Sequence, residues 1–236
     1  MNPLLVRRTG AEFIGTAFLV MAVVGSGVMA SRLSPNDVGL QLLQNSLVTG
    51  AALVALILAL QPVSASFNPI VTLVERFLRL IDTRTAALLV AAQIVGGLVG
   101  TVAANMMFGL APATFSTHER SGPGLWLAEV IATAGLLVIV FGTIRSGRAD
   151  RVAFAVGGYI TAAYWFTSST SFANPSVTIA RTLTDTFSGI APASAPGFVA
   201  AQLVGGAFGL VLVRFLYPQT TDVSPADAAA DRKVLS

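Results

Sequence analysis

The sequence predicts an all-α membrane protein with six transmembrane helices and two re-entrant half-helices, arranged as an inverted repeat. Three observations predict this fold: the composition, two Asn-Pro boxes in apolar surroundings, and a recurring order of motifs. Apolar residues make up 54% of the 236 residues and charged residues only 11%, with a mean hydropathy of +0.77. Because soluble domains carry about 25% charged residues, this composition indicates a chain embedded in a lipid bilayer.

Six apolar segments are long enough, or nearly so, to cross a bilayer core, which needs about 20 helical residues. They lie near residues 9–30, 40–60, 85–108, 124–144, 152–168 and 197–217. The fifth segment is the shortest. The first follows Arg7 and Arg8 as a secretory signal would, but it has a counterpart in the middle of the chain, which favours a transmembrane helix.

Two Asn-Pro boxes interrupt the apolar pattern, namely Asn68-Pro69-Ile70 and Asn174-Pro175-Ser176. Asn caps a helix, and Pro is tolerated at the first helical position because an N–H there would have no partner. Each box follows a serine-rich stretch whose backbone cannot face lipid. We therefore expect half-helices from Pro69 to about Leu80 and from Pro175 to about Phe187, with N-termini that meet at the bilayer midplane.

The two halves of the chain repeat one order of motifs. Glu12 and Glu129 lie in similar phrases of the first helix of each half, and the phrase Gln-x-x-Gly-Gly occurs at Gln93 and again at Gln202. Three spans per half is an odd number, so the halves are inverted relative to each other. The predicted boundaries are one channel domain at 1–217, repeat one at about 8–108, repeat two at about 124–217, and a disordered cytoplasmic tail at 218–236.

The basic residues predict the orientation. With both termini in the cytoplasm, eleven of the fourteen Lys and Arg residues lie on the cytoplasmic side, as the positive-inside rule requires. The other three are Arg32, Arg120 and Arg181. We therefore predict a multi-pass protein of the plasma (inner) membrane whose partner is the lipid bilayer. The positive net charge reflects this topology, so no nucleic-acid partner is expected.

The converging half-helices predict a pore. Asn68 and Asn174 would offer N–H donors to a solute, the extended loops would offer carbonyl acceptors, and the two positive helix ends would repel cations. A carboxylate inside a span is a functional candidate, so Glu12 and Glu129 are either loop braces or proton relays. Their equivalent positions in the two repeats favour bracing. The sequence has no Cys, no cluster of metal ligands and no nucleophile–base pair, so we expect no enzyme activity, cofactor or metal.

These motifs resemble the aquaporin family, the major intrinsic proteins, over about residues 8–217. The resemblance implies a homotetramer with one pore per subunit and passive flux of water or small neutral solutes. It also implies that the two intramembrane glutamates brace the loops.

The sequence departs from that family at its boxes and at its filter. The third residue of each box is usually Ala, whereas here it is Ile70 in the first box and Ser176 in the second. The Arg that usually lies in the filter is replaced by Val177. The resemblance assigns the filter to Thr49, Ala162 (or Thr161 or Ile160, if the count is off by one or two), Ser171 and Val177. Such a filter has no aromatic, His or Arg, which implies a wider, less polar opening. Arg181, one turn beyond Val177, is expected too far out to replace the filter Arg.

The stretch from Ala162 to Pro175 resembles a bacterial branch associated with arsenic resistance. This resemblance implies a channel for arsenite, the neutral triol As(OH)3, and related metalloid hydroxides, together with solutes like glycerol and urea, and water. One alternative is an ordinary water or glycerol channel. Another is an ion-coupled transporter, which would need a carboxylate at the broken helices, but the nearest acids, Glu75 and Asp185, lie about two turns or more away.

Overall fold

The computed structural model describes residues 3–218, which form eight α-helices and two short 3-10 turns. The α-helices are α1 (Pro3–Leu33), α2 (Val38–Leu60), α3 (Pro69–Phe77), α4 (Thr83–Met107), α5 (Pro123–Arg145), α6 (Val152–Phe166), α7 (Pro175–Ala180) and α8 (Ala195–Leu216). The 3-10 turns are Ala149–Arg151 and Arg181–Leu183. Apart from Pro218, the predicted tail lies outside the described residues.

The six long helices coincide with the six predicted spans. Five of them, α1, α2, α4, α5 and α8, are long and apolar enough to cross a membrane by length and composition. The remaining helix, α6, has 15 residues. A 3-10 turn precedes it and lengthens it at the end that the sequence predicts to be cytoplasmic. The all-α fold with six long helices and two half-helices is therefore confirmed.

Both half-helices end earlier than the sequence predicted. Helix α3 stops at Phe77 because Arg79 adopts a left-handed conformation with φ +61°, and the N–H of Leu80 closes back on the carbonyl of Glu75 at 2.9 Å. Helix α7 has only six residues before it tightens into a 3-10 turn. That turn is held to α4 by Asn105, whose Nδ2 donates to the carbonyl of Leu183 at 3.0 Å.

Corresponding helix pairs pack closely in the two repeats, α1 along α4 in the first and α5 along α8 in the second, and α2 packs against α6 between the repeats. The first pair depends on glycine, because a Cβ at Gly96 would lie 2.4 Å from the carbonyl oxygen of Phe13 and one at Gly100 would lie 2.3 Å from that of Ala17. Small residues at this spacing let two helix backbones touch. The bundle thereby encloses α3 and α7 between its halves.

Candidate functional site

The two Asn-Pro boxes meet inside the bundle. Asn68 caps α3 and Asn174 caps α7, with Oδ1 atoms that accept from the N–H of Ile70 and of Ser176, both at 2.9 Å. Pro69 and Pro175 follow as buried first helical residues.

The side-chain nitrogens of the two Asn residues cross between the repeats. Asn68 Nδ2 donates to the carbonyl of Ala173, and Asn174 Nδ2 donates to the carbonyl of Phe67, both at 2.7 Å. An amide NH2 group has two hydrogens, so each Asn keeps one N–H beyond this cross-link. Both residues line the same cavity.

Glu12 holds the loop that leads into the first box. The carboxylate is fully buried and accepts from Ser64 Oγ at 2.5 Å, from the backbone N–H groups of Ser66 and Phe67 at 2.9 and 2.7 Å, and from Gln93 Nε2 at 2.8 Å. These four donors supply the hydrogen bonds that a buried carboxylate requires. With its N–H groups turned to Glu12, the loop is fixed in an extended form.

Glu129 holds the second loop in the same way. It accepts from Ser169 Oγ at 2.6 Å, from the N–H groups of Phe172 and Ala173 at 2.9 and 2.8 Å, and from Gln202 Nε2 at 2.6 Å. Neither Glu12 nor Glu129 lines the cavity.

The second loop has one more residue than the first between the serine that bonds to the glutamate and the Asn of the box: Ser169 to Asn174, compared with Ser64 to Asn68. The chain absorbs the extra residue with two consecutive left-handed residues, Thr170 at φ +62° and Ser171 at φ +53°. Ser171 and Phe172 both lie on the cavity wall, as Ser66 and Phe67 of the first loop do.

The cavity runs past both Asn residues from the end where α6 begins, at Val152, to Arg181. Aliphatic side chains form the part nearest Val152, including Ile57, Leu53 and Val156. Within residues 3–218, no Asp or Glu lines this cavity, and no group of three or more acidic or His side chains could hold a metal ion.

Three of the four residues assigned to the filter line the cavity together, namely Thr49, Ser171 and Val177. The assignment of Ala162 is wrong, because its side chain is exposed on the outside of the bundle. On α6 the residues that line the cavity are Val152, Val156, Ile160 and Tyr164, which follow one another at intervals of four and so share one helix face. Ala162 lies about 200° around the helix from Ile160 and from Tyr164.

The cavity wall also carries two aromatic residues and an Arg beside the residues assigned to the filter. Tyr164 and Phe172 both line the cavity, and the Tyr164 hydroxyl lies 3.1 Å from Thr49 Oγ1, within hydrogen-bond distance. Arg181, predicted one turn beyond Val177, is only 2% exposed and lines the same cavity as Val177. The sequence signal for this was its position four residues after Val177, on the same face of the half-helix.

Arg181 lies on an aromatic face. Its Cζ atom is 3.5 Å from the ring centroid of Phe172, and its Nε donates to the carbonyl of Ser188. Arg120, in the loop before α5, lies near the same ring with its Cζ at 5.3 Å from the centroid. Burial lowers the pKa of the Arg120 guanidinium from its ordinary value.

The unusual third residues of the boxes face helices rather than the cavity. Ile70 packs on Gly206, where an added Cβ would lie 2.7 Å from Ile70 Cγ2. Ser176 is fully buried, and its carbonyl oxygen would lie 3.2 Å from a Cβ at Gly97. Ile70 therefore meets a glycine of the Gln-x-x-Gly-Gly motif through its side chain, whereas Ser176 meets one through its backbone.

Comparison with known proteins identifies the family. Residues 2–153 match the family model described as "Major intrinsic protein". The chain belongs to the major intrinsic protein family. Members of this family are membrane channels, so the protein is an integral, multi-pass membrane channel and not an enzyme.

The relatives include channels from bacteria and eukaryotes. The chain is 49% identical over 213 residues to aquaglyceroporin AqpS of Rhizobium meliloti, covering 90% of this chain and 91% of AqpS. It is 32% identical over 161 residues to aquaporin A of Dictyostelium discoideum, covering 62% and 56% of the two chains. The solved structure of the aquaglyceroporin from Plasmodium falciparum superposes with a TM-score of 0.68 over 92% of this chain and 97% of that one, at 21% identity, and thus shares the fold.

Proposed function

We propose that this passive channel for small neutral solutes conducts arsenite and related metalloid hydroxides, together with solutes like glycerol and urea, and water. The observation that carries the proposal is the pair of Asn amides, each with one N–H left over, in a cavity whose wall contains no described Asp or Glu. A neutral triol needs both donors and acceptors along its path. The relative with 49% identity is named an aquaglyceroporin, which supports a solute larger than water.

The proposed path has a hydrogen-bonding line opposite an apolar wall. Oxygen and nitrogen groups come from the two Asn residues and the extended loops, while Val177, Ile160 and Leu53 contribute apolar surface. A solute with several hydroxyls can exchange hydrogen-bond partners along the first side, and its carbon or arsenic centre slides past the second. An ion loses its hydration in such a path without adequate replacement.

The filter in this proposal consists of Thr49, Ile160, Ser171 and Val177, with Ile160 replacing Ala162. Glu12 and Glu129 act as braces, and both are assigned no proton-relay role because each accepts four hydrogen bonds and stands away from the cavity. A structural part for these carboxylates favours passive flux over ion coupling.

Assembly and location are also proposed. The channel in this proposal is a homotetramer in the plasma (inner) membrane with both termini cytoplasmic, an orientation that agrees with the distribution of basic residues. Large apolar side chains project outward from the bundle, for example Phe18, Val95 and Phe215, which are 55%, 51% and 79% exposed. Lipid tails and neighbouring subunits would cover them.

The test is an uptake panel in proteoliposomes with arsenite, antimonite, glycerol, urea and water, with and without a proton gradient. We expect the flux of the neutral solutes to be non-saturable and independent of the proton gradient. A matched pair of variants checks the route: Val177→Phe should obstruct the cavity, whereas Val95→Phe, on the outward face, should not. Water flux alone would indicate an ordinary water channel, and flux that follows the proton gradient would indicate a coupled transporter.

A further inference from the structure

Arg181 is a buried charge whose side chain has few partners within the protein. It is 2% exposed, and within residues 3–218 its side chain makes one hydrogen bond, from Nε to the Ser188 carbonyl, and no ion pair. A buried guanidinium is costly unless it is paired or hydrogen-bonded. Here Arg181 lines the cavity, so the contents of the cavity can solvate its side chain.

The position of this guanidinium is fixed by stacking. Phe172 presents its ring to Arg181, with 3.5 Å between Cζ and the ring centroid, and the ring is itself held by an edge-to-face contact with Phe198 at 5.1 Å. Arg120 adds a second positive charge beside the same ring. The planar guanidinium of an Arg suits such stacking.

We propose that Arg181 is the charge-selecting residue of this pore, so that selection by charge occurs one helical turn away from selection by size at Val177. This inference rests on the proposed channel function and adds a residue to it. Val177 and Arg181 are four residues apart, which corresponds to about 6 Å along a helix axis. Removing the filter Arg at the first position widens the path for triols, while the guanidinium at the second position still repels cations and offers N–H donors to hydroxyl oxygens.

The test compares three variants of the full-length channel in planar bilayers and proteoliposomes. Arg181→Gln removes the charge but keeps an amide that can donate to Ser188, whereas Arg181→Lys keeps the charge. Arg32→Gln is the matched control, because Arg32 also stacks on a phenylalanine, Phe108, at 5.1 Å and donates to its carbonyl at 2.6 Å, but does not line the cavity. The readouts are sodium and potassium conductance and, separately, glycerol flux.

For Arg181→Gln we expect cation conductance to rise about tenfold or more, since a unit charge in a poorly solvated wall strongly raises the barrier for a like charge. Glycerol should still pass, and Arg181→Lys and Arg32→Gln should exclude cations as the parent does. Cation exclusion that survives Arg181→Gln, or an equal leak in Arg32→Gln, would overturn the proposal. An absence of glycerol and urea flux in the parent would instead refute the proposed function.

Phe172→Leu provides the test if Arg181→Gln does not accumulate in the membrane. It keeps the charge but removes the ring that positions it, so the guanidinium can leave the cavity wall. We expect a smaller cation leak than for loss of the charge, in a channel that still passes glycerol. Unaltered cation exclusion in this variant would show that the stacked position of Arg181 has no part in selectivity.

Discussion

Replacing Gly15 by alanine should destabilise the channel, because the first repeat has no space for a side chain there. A Cβ at Gly15 would lie 2.0 Å from Cε1, 2.4 Å from Cζ and 2.6 Å from Cδ1 of Phe67. The ring cannot retreat easily, since Phe67 is 1% exposed. Its backbone has a left-handed φ of +46° and its N–H is bound to Glu12.

The expected magnitude combines two opposing effects. Forcing an extra carbon into a packed core costs about 1–3 kcal/mol, and contacts this short belong at the upper end of that range. Alanine in place of glycine within a helix returns about 1 kcal/mol. We therefore expect a net loss of about 2 kcal/mol, equivalent to a fall in melting temperature of roughly 4–8 °C for a chain of this size.

A second substitution isolates the clash. Phe67→Ala alone should cost about 3–5 kcal/mol through the cavity it leaves, but in that background Gly15→Ala should become neutral or stabilising. The second repeat carries this combination, with fully buried Ala132 and Ala173 at the corresponding positions. The sign reversal is the diagnostic result, because it depends only on the contact between residues 15 and 67.

The assay is thermal unfolding of the purified protein in one detergent, followed by size-exclusion chromatography with fluorescence detection. Gly10→Ala is the control, since it lies on the same helix and an added Cβ there meets nothing within 4 Å. If Gly15→Ala melts together with Gly10→Ala, or if its effect is the same with and without Phe67, the packing argument is wrong.

Three other predictions concern flux. Val177→Arg adds a guanidinium to the filter, so flux of arsenite and glycerol should fall several-fold while water flux changes much less; unchanged ratios would place Val177 outside the filter. Asn174→Asp keeps a cap but converts a donor into an anionic acceptor, so cation leak should rise in a channel that still assembles, and unchanged fluxes would show that Asn174 does not face the solute. Mercuric ions at low concentration should not block flux, because the sequence has no Cys; thiol-reversible block would point to another component.

Each of these flux measurements needs matched amounts of channel in the membrane. Val177→Arg requires this most, because an unpaired Arg inside a membrane protein can destabilise the fold. Val177→Met serves as its control, since it is also larger than the parent residue but carries no charge. Vesicles without protein define the background for every solute.

The positions of the helices could be predicted from the sequence, because hydropathy and caps are local signals. The length of apolar runs locates the spans, and Asn-Pro marks the start of each half-helix wherever the rest of the chain lies. Helix ends were less predictable, since α7 stops where Asn105 of α4 holds the next turn. That contact joins residues 78 positions apart in the chain.

The sequence did not fully predict which side chains of the filter region face the cavity. A helix that touches protein on one side and lipid on the other is apolar all round, so its sequence does not show which face turns inward. This is why Ala162 was assigned to a wall that Ile160 and Tyr164 occupy. The burial of Arg181 could not be predicted for a related reason, because it depends on the ring of Phe172 and the carbonyl of Ser188.

The crossed amides of Asn68 and Asn174 also set an order of events during biosynthesis. Their acceptors lie 105 and 107 residues away, so the first half of the chain leaves the ribosome well before either bond can form. Until the second half has entered the membrane, Asn68 has no acceptor from Ala173, and the first loop is held by its own half alone. The central donors are thus completed only in a full-length chain, and a truncated product has no finished conduction path through which solutes could leak.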